Sequence, residues 1–340
     1  MKFAVESWDP AYGVSADEQS LEEVREPVDL DVEVSAEAWA PLSPDGGSPP
    51  SAVLFIDGVR RIDARVWLSA DGPGRVPPSD RLASDGLASD GLASPGIAFP
   101  GIAFPGMCAT VAAGMVRSDP EGARIVAARV ERALYTAAPD AGPIVTRHGT
   151  YALRPIVSRP STDDRPGAAD APLHLAIHNH MTALETSLVV DSDRRELVVF
   201  DGPLRGRDNV AGVGYIKTQH VQYLPARQHA VVGRLAAGQR TPLFCIGGRF
   251  TRWSWYLRLP GPVAHALSGV VRLELPGIGT AVDAAARADA ISAVLPRYAS
   301  EPHKDARAPQ NLHPIAGLER ELRRRLGDLR LLERALREAS

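Results

Sequence analysis

The chain has 340 residues, of which 44% are hydrophobic, and a formal net charge of −3. This length allows one large domain or two, and the hydrophobic fraction is ample for a packed core. The small net charge excludes a protein that is basic throughout, so any nucleic-acid-binding surface must be local. Two cysteines, Cys108 and Cys245, exclude a disulfide framework and a cysteine-rich zinc site, and they fit a reducing cytoplasm.

The start of the chain shows no apolar signal region, because Glu6 and Asp9 follow within a few residues. No apolar stretch approaches the length of a membrane helix. We therefore expect a cytoplasmic protein that does not associate with membranes.

Residues 1–50 form an acidic N-terminal segment, with a short helix predicted near 20–25 and a strand near 28–34. The segment ends in a stretch rich in Pro, Gly and Ser, which is typical of a linker. We therefore place the main domain at 51–340.

The apolar residues 53–56 lead into Asp57 and Gly58 and predict a buried strand that ends in an exposed acid. Alternating residues up to about 70 predict the returning strand of a hairpin that turns at Gly58. A five-residue repeat follows, with the units LASDG, LASDG, LASPG, IAFPG and IAFPG. We interpret residues 71–106 as a flexible, low-complexity insertion between two strands.

The remaining pattern begins with strands and continues as alternating helices and strands. The predicted strands lie at 107–116, 124–137, 148–157, 197–200, 210–216, 243–246, 253–259 and 270–275. The predicted helices lie at 172–190, 226–237, 281–295 and 315–339. This order favours an α/β fold with a mixed central sheet flanked by helices.

Three acidic residues are candidate metal ligands. Asp57 and Asp201 each follow an apolar run and precede a Gly, and Glu185 lies beside the apolar face of the predicted helix. Each alone is an ordinary turn or surface residue, but together they predict a ligand set for magnesium or manganese, which prefer oxygen ligands. Two such ions activate a water and stabilise the leaving oxygen of a phosphodiester.

Two other features leave alternatives open. Lys217 follows an apolar strand and is one of few lysines in an arginine-rich chain, so it is either a phosphate or water contact or a chance surface residue. His174 and His178 stand one helical turn apart. They are either packed or solvent-facing imidazoles or part of a zinc site.

The predicted strand at 253–259 interleaves basic and aromatic residues. Arg252, Tyr256 and Arg258 alternate onto one face, which we expect to be exposed and to guide a single nucleic-acid strand by phosphate contact and base stacking. The alternative is an ordinary half-buried strand. The arginine-rich stretch at 319–337 is balanced by acids and predicts a salt-bridged amphipathic helix.

An ordered set of motifs from about residue 53 to the C-terminus resembles the NurA nucleases. The motifs are Phe55-Ile56-Asp57-Gly58, Leu184-Glu185, Val199-Phe200-Asp201-Gly202-Pro203-Leu204, Gly214-Tyr215-Ile216-Lys217-Thr218 and Ser254-Trp255-Tyr256-Leu257-Arg258.

The resemblance implies a ribonuclease-H-like core with manganese-dependent cleavage of DNA, as a 5′ to 3′ exonuclease and single-strand endonuclease in end processing. It also implies a homodimer that acts with a hexameric HerA-type ATPase. By position, Asp57, Glu185 and Asp201 would be metal ligands and Lys217 a phosphate or water contact. The family's late His has its nearest counterpart in His313.

The rival hypothesis is a non-catalytic adaptor that keeps the fold and binds an ATPase or DNA. It draws on two departures from the family pattern. Val59 stands where the family often has Ser after the first Asp-Gly, and His313 comes just before the predicted C-terminal helix, whereas the family's late His usually lies in that helix. A zinc hydrolase built on His174 and His178 is a third hypothesis.

Overall fold

The computed structural model describes residues 2–5, 26–46, 49–69, 103–157, 170–189, 193, 195–207, 211–217, 221–248, 250–263, 265–305 and 307–340. The predicted helix near 20–25, the loop after 157 and most of the five-residue repeat lie outside these residues. The last four residues of the repeat, 103–106, belong to a strand.

A mixed sheet of twelve strands runs through the described part of the chain. Its strands, in chain order, are β1 Lys2–Val5, β2 Val28–Asp29, β3 Ala52–Ser69, β4 Ala103–Asp119, β5 Gly122–Thr136, β6 Ile144–Thr146, β7 Gly149–Pro155, β8 Glu196–Asp201, β9 Val213–Ile216, β10 Phe244–Ile246, β11 Arg252–Arg258 and β12 Val270–Pro276. Five helices accompany them: α1 Ala171–Thr186, α2 Ala226–Arg234, α3 Ala281–Val294, α4 His313–Arg325 and α5 Leu329–Ala339. The predicted α/β class with a mixed sheet and flanking helices is confirmed.

The centre of the sheet has the order β5-β4-β3-β8-β9. Antiparallel pairing joins β3, β4 and β5, whereas β3 with β8 and β8 with β9 are parallel. The chain reaches β8 through α1, and a helical crossover is the usual way to connect parallel neighbours. The parallel strands β8 and β9 therefore end beside the middle of β3, which continues past them, and the predicted acids lie at this edge.

The prediction of a hairpin that turns at Gly58 is wrong, because β3 continues without a turn from Ala52 to Ser69. Gly58 pairs with Ala113 of β4 within the ladder. The alternation of apolar and polar residues that suggested a returning strand is equally that of one long strand. The actual returning strand is β4, and its first residue, Ala103, pairs with the last residue of β3.

Helices cover both faces of the central strands. Ala109, Val111 and Ala113 of β4 pack with α1 on one face. Ala112 and Val116 of β4 share a core cluster with α3 and α4 on the other face. Because side chains alternate along a strand, odd-numbered residues of β3 such as Phe55 face the α3–α4 side. This alternation fixes which helix each acid of the site faces.

The predicted strand near 28–34 is shorter in the structure, where β2 covers only Val28–Asp29. Farther along this segment Glu33 receives two hydrogen bonds from the buried Arg240, at 2.6 and 2.8 Å. Within the described ranges, no helix is long and apolar enough to cross a membrane.

Candidate active site

Asp57 and Asp201 lie side by side because of the parallel pairing of β3 with β8. The ladder ends at the pair Ile56 and Phe200, and the two acids are the next residues on their strands. Asp201 in turn pairs with Tyr215 of β9, which places Lys217 just beyond the end of that strand. Ligands of open α/β sheets bind at the carboxyl ends of parallel strands. The three residues therefore occupy the edge of the sheet that is best placed to hold a ligand.

A cleft of about 270 Å³ opens at this edge. It lies where β8 stops at Asp201 while β3 continues. Beyond this point β3 pairs only with β4, and among the described residues its other side has no strand neighbour until β1 pairs near its end. The cleft is lined by Asp57, Gly58, Val59, Arg60, Met181, Asp201, Glu319 and Arg323. An acidic floor with two arginines beside it can hold a cation and an anion together.

Asp57 is buried, with only 7% of the residue exposed. Its carboxylate accepts a hydrogen bond of 2.8 Å from the backbone N–H of Gly58. Burial raises the pKa of Asp57 well above its ordinary value, and the negative charge of Asp201 raises it further. The ammonium of Lys217 acts in the opposite direction but does not cancel these effects. A buried carboxylate beside other carboxylates is the environment that a bound cation relieves.

Lys217 is fixed between an acid and an amide. Its Nζ donates to Oδ2 of Asp201 at 2.6 Å and to Oδ1 of Asn311 at 2.7 Å. Asn311 is fully buried and donates to Oδ2 of Asp305 at 2.6 Å. These contacts hold the ammonium next to Asp201.

Glu185 lies on the α1 side of the sheet and not on the side of Asp57. A Cβ added to Gly58, which points to the α1 face, would clash with Oε1 of Glu185 and come within 2.8 Å of Cγ of Met181. The glycine is therefore required by this close approach and not by a turn. Glu185 is 2% exposed and forms an ion pair with the equally buried Arg207. Burial raises the pKa of Glu185, and the charge of Arg207 partly offsets that rise.

The carboxylates fit a hard divalent cation by their chemistry, since their oxygens are what magnesium and manganese prefer. They do not form a closed ligand set: within the ranges described above, no three Asp, Glu, His or Cys side chains gather closely enough to hold a metal ion. Asp201 and Glu185 instead have cationic partners, since Lys217 pairs with Asp201 and Arg207 pairs with Glu185. A cation here would rely on Asp57 and Asp201 first, with Glu185 reached only after Arg207 moves.

Two of the residues that line the cleft, Glu319 and Arg60, are not predicted as site residues from the sequence. Glu319 was assigned to a salt-bridged surface helix, and it does pair with Arg323 at 2.8 Å and Arg307 at 2.5 Å. Arg60 had no distinguishing signal other than its position three residues after Asp57. Both line the cleft with Asp57. Only the packing of α4 against β3 and β4 brings Glu319 to this edge.

The exposed basic face predicted on β11 is wrong. Tyr256 and Arg258 are 1% and 3% exposed, because β11 lies between β10 and β12 with a core cluster on each face. Arg258 donates to backbone carbonyls of Ser268 and Ala266. Arg252 pairs with Glu26 at 2.5 Å and Glu274 at 3.1 Å. Arg252, Tyr256 and Arg258 therefore do not offer a surface to a nucleic-acid strand.

The three histidines predicted as possible site residues, His174, His178 and His313, have the following surroundings in the structure. Nδ1 of His178 accepts a hydrogen bond of 2.8 Å from the guanidinium of Arg60, and Nε2 of His174 is buried without a hydrogen-bond partner among the described residues. Burial lowers the pKa of both imidazoles, and the charge of Arg60 adds to it. A zinc site at His174 and His178 has no third ligand within the described part of the chain. His313 is exposed at the first residue of α4, whereas Asn311 is the neighbour that contacts Lys217.

No protein-family model matches the chain. No curated protein matches it. Among solved structures, the chain is similar to the NurA nuclease from Sulfolobus solfataricus, with 11% sequence identity and a TM-score of 0.47 over 89% of each chain. A likeness this loose establishes neither family nor activity for this chain, so the NurA resemblance rests on the motifs quoted above.

Proposed function

We propose that the chain is a divalent-metal-dependent nuclease that hydrolyses phosphodiester bonds in DNA. The observation that carries the proposal is the adjacency of Asp57 and Asp201 where the parallel ladder of β3 and β8 ends, in an open cleft that also contains arginines. Because buried carboxylates repel both each other and a phosphate, their adjacency makes chemical sense with a cation between them. The motif resemblance supports the same activity.

Asp57 and Asp201 would hold a manganese or magnesium ion, with Glu185 completing the set if Arg207 releases it. When bound, the metal supplies an activated water and charge stabilisation at the phosphate. The chain's own residues contribute orientation: Lys217 lies beside Asp201 and is positioned to offset negative charge that develops on the phosphate. Asn311 holds the ammonium in place.

The finer parts of the proposal follow from the resemblance. They are a ribonuclease-H-like core, which the order β5-β4-β3-β8-β9 supports, and 5′ to 3′ exonuclease and single-strand endonuclease activity on free ends. They also include a homodimer, a HerA-type ATPase partner and a cytoplasmic location. The two free cysteines are consistent with a reducing compartment.

The adaptor remains the second candidate, and one observation favours it. Arg207 and Lys217 already neutralise Glu185 and Asp201, so the carboxylates have cationic partners without a metal. In that case the site would be a salt-bridged remnant that stabilises the fold.

Degradation of end-labelled single- and double-stranded DNA with added manganese tests the choice. Asp57→Asn and Asp201→Asn should each abolish cleavage while circular dichroism stays unchanged. Asp140→Asn, in the exposed turn after β5, is the matched control and should cleave as the wild type does. Cleavage that survives in both site variants, or a wild type that stays inactive with a HerA-type partner, rejects the nuclease in favour of a contaminant or the adaptor.

A further inference from the structure

The arginine that lies on the open edge of β3, Arg60, has no charge partner in the part of the chain that the structure describes. Arg60 is exposed, lines the cleft, and meets no carboxylate among the described residues. The other cleft arginine, Arg323, is paired with Glu319 at 2.8 Å. Arg60 therefore has free donors beside the acidic floor.

Arg60 is also held in place. One of its terminal nitrogens bonds to Nδ1 of His178 at 2.8 Å. That bond uses one of the five N–H groups of the guanidinium and leaves a planar set of donors for another group. Because Arg60 donates to Nδ1, the imidazole must be neutral, with its proton on Nε2.

The position of Arg60 on β3 indicates which kind of ligand its free donors would bind. Arg60 lies three residues after Asp57 along β3, which is roughly 10 Å of strand. Here β3 pairs with β4 on one side and has no strand neighbour on the side of β8 among the described residues. Arginine recognises phosphate through paired hydrogen bonds. A group bound at Arg60 would be next to, and not at, the position of Asp57 and Asp201.

We propose that Arg60, oriented by His178, is a phosphate subsite that holds the phosphodiester neighbouring the one at Asp57 and Asp201. The inference rests on the proposed nuclease function and assigns the strand path to the edge of β3 and α1. It replaces the path along β11, whose side chains are buried. Arg60 is a binding residue and His178 a positioning residue.

Binding of a short labelled oligothymidine, measured by fluorescence anisotropy in EDTA, tests the subsite without cleavage. Arg60→Met should weaken binding roughly tenfold or more and should lower the salt slope by about 0.7, the value for one single-strand phosphate contact. Arg60→Lys should keep the salt slope but recover only part of the affinity, because an ammonium lacks the guanidinium fork. His178→Ala should weaken binding with an unchanged slope.

Arg324→Met is the matched control, since Arg324 is on α4 and pairs with Glu321 away from the cleft lining. The subsite is rejected if Arg60→Met binds as Arg324→Met does, or if the wild type does not bind the strand. Thermal melting confirms that the exposed Arg60 can be replaced without unfolding. A wild type that shows the Arg60 effect but never cleaves DNA would reject the nuclease and leave the subsite standing.

Discussion

The ion pair of Arg207 with Glu185 offers the most discriminating test of how the site is built. The side chains are 5% and 2% exposed, and Arg207 also donates to the carbonyl of Pro203 and lies 5.0 Å from the centre of the Phe200 ring. Arg207→Met keeps most of the aliphatic volume but leaves Glu185 buried without a cation. Removal of one partner from a buried pair costs roughly 3–5 kcal/mol.

The cost should depend on pH in a defined direction. Burial raises the pKa of Glu185, and without Arg207 that pKa rises further. The folded variant then binds a proton that the unfolded chain has released, so its stability falls as pH rises above the ordinary range of glutamate, about 4.3. The free energy of unfolding that Arg207→Met loses relative to the wild type should therefore be larger at pH 8 than at pH 5.

A double-mutant cycle in chemical denaturation measures the pair itself. Glu185→Gln should recover much of the stability of Arg207→Met, with a coupling of at least about 2 kcal/mol, since contacting residues couple by 0.5–3 kcal/mol. Additive effects of the two changes, or a loss below about 1 kcal/mol in Arg207→Met, would refute the buried-pair reasoning.

Manganese then separates the two roles of Glu185. If Glu185 is a ligand, manganese should restore stability to Arg207→Met, because a ligand that binds only the folded state stabilises it by mass action. The same addition should not restore the Arg207→Met/Glu185→Gln double variant to a similar extent. Equal responses of the two variants would assign Glu185 to structure alone.

Three other predictions concern stability. Gly58→Ala should cost about 1–3 kcal/mol by overpacking against Glu185, whereas Gly317→Ala, with open space at its Cβ inside α4, should stabilise by about 0.5–1 kcal/mol in the same denaturation assay. Asp57→Asn should stabilise the metal-free protein more at pH 8 than at pH 5, because the raised pKa of Asp57 costs the wild type stability as pH rises above about 3.9; an equal gain at both pH values would contradict this. Arg240→Met, which removes a 1% exposed guanidinium bound to Glu33 and Asp289, should lower the free energy of unfolding by roughly 3–5 kcal/mol, and a loss below about 1 kcal/mol would disprove it.

Local pattern predicted the acids at the edge of the sheet, and the parallel ladder explains why. Each apolar run lies in the parallel ladder of β3 and β8, and the acid that follows each run lies just beyond the last pair of that ladder. The predicted strand end in an exposed acid holds for β8, which ends at Asp201, and is wrong for β3, which continues past the buried Asp57. The same local pattern failed at Gly58, because period-two alternation does not say whether a strand continues or turns. The glycine at this position is required by its close approach to Glu185, which is more than a hundred residues away in the sequence.

The burial of β11 could not be predicted for a related reason. Alternation separates two faces of a strand but does not say whether the second face is covered. Here α3 packs over the face of Trp255, while Trp39 and α2 cover the face of Tyr256. Glu319 and Arg60 also line the cleft because of tertiary structure. The packing of α4 on β3 brings Glu319 there, and the open edge of β3 beside β8 exposes Arg60. The residues of the site that were missed are those whose roles depend on tertiary neighbours.

The pairing of Ser69 with Ala103 has a consequence for the evolution of chain length. The intervening connection begins and ends on neighbours in one ladder, at the end of β3 that lies roughly 40 Å of strand beyond Asp57. Because Ser69 and Ala103 remain paired whatever lies between them, gain or loss of one five-residue unit in the coding sequence would leave the register of β3 with β4 and the surroundings of Asp57 in place. This connection is therefore a natural point for fusing a tag or another domain.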